Sequence, residues 1–141
     1  MMELPHFPDW STMVKHAFLS FVEEDLGTVR MFRGQAKNKN SLLSFDDYSV
    51  KVPYNSTDAA YIRTQITSKI RAASVTICLI GPTTYTSQWV DWEIRKSAEV
   101  GNKIIGVRLY SDRACPTPKA LTDLRAPVLD WDIDAIVRAI G

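Results

Sequence analysis

From Lys15 onward, short apolar runs alternate with stretches whose apolar positions recur every three or four residues. His16–Val22 is a compact run rich in aromatics and predicts a buried strand. Glu23–Lys37 reads as a weaker helix, with Leu26, Val29, Met31 and Phe32 apolar and Gly27 weakening it. Ser41–Phe45 predicts a second short strand, and the loop that follows carries Pro53, Asn55 and Ser56. Ser56, Thr57 or Asp58 can cap a helix whose Ile62, Ile66, Ile70 and Ala73 share one face. Ser74–Gly81 is apolar almost throughout, the pattern of a parallel strand covered on both sides. A helix over Gln88–Val100 then stops at Gly101-Asn102, and Lys103–Tyr110 predicts the fourth strand. Residues 111–124 read as irregular, 127–129 as a fifth short strand, and Asp130 or Asp132 as the cap of a last helix carrying Ile133, Ile136, Val137 and Ile140.

Strands alternating with helices imply an α/β fold, with a five-stranded, mainly parallel sheet and helices on both faces in flavodoxin-like order. The expected organisation is an N-terminal extension over residues 1–14 and one domain over residues 15–141. Residues 17 Lys+Arg against 16 Asp+Glu leave a net charge of +1, so no global field draws nucleic acid or an anionic membrane. The run Val75–Ile80 is far too short to span a bilayer, and the opening residues lack a secretory pattern. Cys78 falls mid-strand and Cys115 in a loop, spacing that suits reduced thiols and a cytoplasmic setting. His6, His16 and two distant cysteines offer no metal spacing.

The chemistry concentrates at one strand end. Glu93 lies in the opening turns of the third helix, just past the carboxyl end of the central strand, where open α/β sheets hold ligands. Trp89 is four residues earlier and stacks on the same flank; Tyr85 is in the preceding loop. Val90, Ile94, Ser97, Ala98 and Gly101 form the sheet-facing side, which leaves Trp92 on the opposite, solvent side as a candidate subunit contact. Ser20, Phe21, Asp46 and Ser49 stand at or just after strand ends, each a candidate for ribose or phosphate and each equally a turn or cap residue. A response-regulator receiver would need a phospho-accepting Asp after the central strand, which ends Leu79-Ile80-Gly81.

The strand Phe18-Leu19-Ser20-Phe21, running into Glu23-Glu24-Asp25, resembles the opening box of TIR domains. The block Ser74–Gly81, then Trp89-Val90-x-Trp92-Glu93-Ile94, then Gly101-Asn102-Lys103-Ile104-Ile105-Gly106, is similar to bacterial and archaeal TIR-like proteins, including the TIR component of the Thoeris anti-phage system. The similarity covers roughly residues 15–110. The Arg-Asp and Pro-Gly box of receptor TIR domains is absent, with Phe45-Asp46-Asp47-Tyr48-Ser49 in its place, and Asp130-Trp131 is a loose echo of their Phe-Trp box. The resemblance implies consumption of NAD as a substrate, with no separate cofactor and with Glu93 as the catalytic acid. It further implies a cyclic ADP-ribose-type signal read by a separate effector, and sites completed between subunits of a homo-oligomer. Phe21, Tyr85 and Trp89 would stack on the nucleotide rings and exclude water. The alternative expectation is a TIR-like scaffold or nucleotide-sensing module without turnover, assembling through Trp92, Tyr54 and Trp10.

Overall fold

A computed structural model describes residues 15–39, 42–48 and 51–141. Five strands, β1 (Lys15–Ser20), β2 (Leu43–Asp46), β3 (Val75–Ile80), β4 (Lys103–Arg108) and β5 (Val128–Asp130), form one sheet in the order β2-β1-β3-β4-β5. Every neighbouring pair is parallel. The order reverses between β1 and β3, so their carboxyl ends, Ser20 and Ile80, frame the crevice where the connections diverge to opposite faces.

The helices are α1 (Leu26–Lys39), α2 (Ala59–Ala72), α3 (Gln88–Glu99), α4 (Lys119–Asp123) and α5 (Ile133–Ile140). One face of the sheet gives Leu19, Ile77, Leu79, Ile105 and Val107 to a core closed by Val29 and Phe32 of α1 and Ile133 and Ile136 of α5. On the other face, Phe18 meets Ile62, Ile66 and Ile70 of α2, while Cys78 and Ile80 meet Val90 and Ile94 of α3 and Leu121 of α4. Burial on both sides is why β3 reads as an unbroken apolar run rather than an alternating one.

The helix starts follow the sequence in part. Ser87 accepts a hydrogen bond from the Val90 amide at 3.1 Å and Asp132 one from the Ala135 amide at 3.2 Å, so these two caps hold their helices. Asp58 precedes α2 without a side-chain cap bond. α3 ends in a Schellman pair, Gly101 to Ala98 and Asn102 to Ser97, with Gly101 at φ +92°. Two expectations are corrected. The helix after β1 opens with a 3-10 turn over Glu23–Asp25 before α1 begins, and residues 111–124 contain the short helix α4 after Pro118.

Gly81 is required by a close approach: a Cβ there would run into the carboxylate of Asp25. Asp25 is buried, accepts a hydrogen bond from the Tyr110 hydroxyl at 3.0 Å, and burial raises its carboxyl above the ordinary range, the Tyr110 bond opposing. The loop after β1 is thereby seated directly on the end of β3. Both cysteines are free and buried, and burial pushes the Cys78 thiol up. Among the described residues no helix is long and apolar enough to cross a membrane.

Candidate active site

The rotation of α3 decides where Glu93 points, and hydroxyl groups fix that rotation. Thr76 Oγ1 of β3 donates to Ser97 Oγ at 2.7 Å, and Ser97 Oγ donates to the Glu93 carbonyl at 2.7 Å. Asn102 Nδ2, just past the helix, donates to the Ile70 carbonyl at 3.0 Å, tying α3 to α2 as well. Because Ser97 is small, the helix comes close to the sheet, and the Glu93 side chain enters the crevice between β1 and β3.

Glu93 is 0% exposed. Its Oε1 accepts a hydrogen bond from Ser20 Oγ at 2.9 Å, and its Oε2 lies 3.5 Å from Lys51 Nζ without accepting a hydrogen bond. Burial pushes the Glu93 carboxyl up from 4.5 to about 7, and the Lys51 charge and the Ser20 hydroxyl pull it back only in part. Asp47, held by Arg33 at 2.8 Å, adds a small upward push of its own. A carboxyl poised near neutrality inside a crevice is the arrangement expected of a working acid or base.

A cleft of about 610 Å³ opens beside this carboxyl. Phe21 to Glu24 form one wall, Lys51 to Pro53 a second, and Thr83, Thr86, Ser87 and Trp89 a third. Lys51 lines the cleft and places its Nζ 3.5 Å from Glu93 Oε2, while Glu93 itself is not one of the lining residues. Trp89 Nε1 donates to the Val52 carbonyl at 2.7 Å and ties the second wall to the third. A larger recess of about 870 Å³ lies among Met31, Tyr110, Arg113 and Trp131. Its one acid, Asp130, has a side chain 91% exposed, whereas the smaller cleft adjoins a fully buried carboxyl through Lys51.

Of the residues singled out in the sequence, Ser20, Phe21, Trp89 and Glu93 come together here. Tyr85 does not. It is 54% exposed and lines a separate shallow recess with Tyr54, Gln88 and Asp91. Asp46 pairs with Lys69 at 2.8 Å in another small recess near His16. Ser49, Trp10 and the extension 1–14 lie outside the described residues. The expected separation of Trp92 from Trp89 is corrected: Trp92 is half-buried and meets Trp89 edge-on with centroids 6.2 Å apart. A helix 100° per residue puts the two backbones on different flanks, but two large indoles one turn apart still reach each other against α2. Trp89 in turn meets Tyr54 edge-on, with ring centroids 5.2 Å apart. Sequence reasoning missed Lys51, a single lysine in an aperiodic loop that nothing local distinguishes. Among the described residues no group of His, Cys, Asp and Glu is placed to hold a metal ion.

Residues 18–114 match the family described as the Thoeris protein ThsB, TIR-like domain. A curated relative, the "Putative cyclic ADP-D-ribose synthase ThsB1" of Bacillus cereus (strain MSX-D12), is 34% identical over 101 residues. That match takes in 69% of this chain, and the chain spans 53% of the relative's length. Among solved structures, a 3-dehydroquinate dehydratase-like protein from Bifidobacterium longum is similar over 91% of this chain and 93% of its own, at 12% identity and a TM-score of 0.47. The TIR domains of the activated Roq1 resistosome recognising the effector XopQ are similar over 88% of this chain and 68% of theirs, at 17% identity and a TM-score of 0.46.

Proposed function

Since the chain belongs to the TIR-like domain family of the Thoeris protein ThsB, we propose that it consumes NAD by breaking the nicotinamide–ribose bond, with Glu93 as the essential carboxylate. The observation that carries this reading is a fully buried carboxyl, near neutral in its proton affinity, at the switch point of the sheet and beside a cleft large enough for part of a dinucleotide. The bond electrons leave with the pyridinium nitrogen, so nicotinamide departs neutral and needs no proton. Positive charge develops on the ribose instead, as in glycoside cleavage. One ionised carboxylate aimed at that sugar stabilises the charge where the surroundings exclude water. Phe21 and Trp89 supply apolar walls, and Ser20 holds Oε1 so that the carboxylate keeps one orientation.

The sugar cation then takes a nucleophile. Water gives ADP-ribose and a proton; a nucleophile within the same molecule gives a cyclic product. The second outcome is the reading we favour, because the curated relative carries the name of a cyclic ADP-ribose synthase. On this reading the product is a signal in anti-phage defence, a separate effector reads it, and the enzyme works in the cytoplasm, with homo-oligomers completing its clefts.

The test incubates purified wild type and Glu93→Gln with NAD and follows nicotinamide and the nucleotide product by chromatography. Release by wild type that is lost in the Gln protein is expected; equal release by both removes Glu93 from the mechanism. A binding-only module is the second reading, and the complete burial of the carboxylate behind Lys51 is the observation that favours it. NAD binding without nicotinamide release, in purified protein and in extracts of infected cells alike, would establish that second reading.

A further inference from the structure

Glu93 is buried without a full set of partners, and the identity of the group beside it is informative. The Ser20 hydroxyl satisfies Oε1, while Oε2 faces only the Lys51 ammonium at 3.5 Å. The charged and titratable groups around this carboxylate are few. Asp47 from the loop after β2 opposes its ionisation and is itself neutralised by Arg33. Cys78 of β3 holds its proton, pushed up by burial and by the Glu93 charge. Ser20 of β1 is neutral. Lys51 is therefore the one cation in contact with Glu93 among the described residues, and it enters from the cleft side with 16% of its side chain exposed.

We propose that Lys51 is a positioning residue that holds a positive charge against Glu93 until the cationic end of the substrate replaces it. The inference rests on the reading of Glu93 as the carboxylate that meets the nicotinamide ribose. Its physical basis is charge conservation inside a dry crevice. An ionised carboxylate there is tolerated only beside a cation, so any ligand that displaces Lys51 must bring a positive charge of its own. An oxidised pyridinium nucleotide does so, and the ribosyl cation inherits that charge as nicotinamide leaves. A reduced dihydropyridine nucleotide is neutral at the same atoms and would leave Glu93 unpaired. The Glu93 charge that Lys51 keeps in place thus selects the oxidised ligand before any bond breaks, and the long stem of a lysine lets its head group withdraw to solvent without unfolding the wall that carries it.

The test uses full-length protein labelled with carbon-13 at the glutamate side-chain carboxyl. The resonance missing from Glu93→Gln identifies Glu93, and its titration midpoint is read by NMR in wild type, Lys51→Met, Lys51→Gln and Lys51→Arg. Removing the positive charge should raise the midpoint by about one pH unit or more, equally in the Met and Gln proteins, with Arg restoring it. Two neutral variants guard against a single misfolded one. The second measurement is the affinity for oxidised dinucleotide at a pH above the Glu93 midpoint of every variant: with no ammonium to displace, binding should tighten about tenfold in Lys51→Met and return to the wild-type value in Lys51→Arg. A lysine with only a packing role would move neither quantity, and coincident midpoints in wild type and both neutral variants would overturn the proposal. The midpoint needs no turnover. A wild type that releases no nicotinamide, purified or in extracts of infected cells, therefore refutes the catalytic reading alone, whereas normal release with an unmoved midpoint refutes the Lys51 inference alone.

Discussion

Glu93→Gln should make the protein more stable at alkaline pH while abolishing its proposed activity. In the folded chain burial raises the Glu93 carboxyl from 4.5 to about 7, which corresponds to roughly 3 kcal/mol of preference for the protonated form. A group with its folded pKa raised contributes its full stability below its unfolded pKa and loses it as pH climbs through the folded one. The wild type is thus progressively destabilised between about pH 4.5 and 7 by having to ionise a buried acid. Glutamine has the shape of the protonated form and can still accept from Ser20, so it never meets that demand. The loss of its pairing with Lys51 is small, since that ammonium can turn toward the cleft. The variant should therefore match wild type near pH 4.5 and exceed it by about 2–3 kcal/mol at pH 8.5. For this chain length each kcal/mol moves Tm by roughly 3 °C. Thermal unfolding of both proteins across that pH range, followed by circular dichroism, measures the difference directly. A gap that does not vary with pH, or a Gln protein that melts earlier at pH 8.5, would refute the reasoning.

Several further measurements bear on the same site. On the proposed mechanism only ionised Glu93 stabilises the sugar cation, so kcat/KM for nicotinamide release should fall about tenfold per pH unit below an acid limb near pH 7; a profile flat down to pH 5 would argue against it. Ser20→Ala removes a hydrogen bond that favours the ionised form, so it should move that limb to higher pH and lower Tm at pH 8.5 while leaving it nearly unchanged near pH 4.5. Gly81→Ala forces a methyl group into the Asp25 carboxylate and should cost about 1–3 kcal/mol in urea unfolding; Asp25→Ala in the same chain should recover much of the loss, and no recovery would mean the clash lies elsewhere. Trp89→Phe keeps most of the ring but loses the bond to the Val52 carbonyl, so it should cost about 1 kcal/mol and increase protease cutting near residues 51–53.

What the sequence reveals follows from where its physics is local. The β3 run Val75–Ile80 is buried on both sides, and the α3 face Val90, Ile94, Ser97 is periodic, so both elements and the direction of Glu93 were legible. The Ser87 cap and the Gly101-Asn102 stop are likewise written in adjacent residues. α4 escaped because five residues show too little periodicity to announce a helix. Lys51 escaped for a different reason. Its importance comes from a contact across 42 residues of chain, in a loop with no repeating pattern, and only the folded crossovers bring it to Glu93. Tyr85 shows the converse. Nearness in sequence suggested membership of the site, yet the 3-10 turn over Thr84–Thr86 turns its ring outward.

The Ser20–Glu93 bond joins groups 73 positions apart, and Lys51 belongs to the stretch between them. During synthesis the first strand, its hydroxyl and the lysine all emerge from the ribosome before the acid they will hold. A truncated product ending between Lys51 and α3 therefore carries the hydroxyl and the lysine and lacks the carboxylate. On the proposed mechanism such unfinished copies cannot touch the nucleotide pool, and the capacity to attack it arises only once the third crossover has closed.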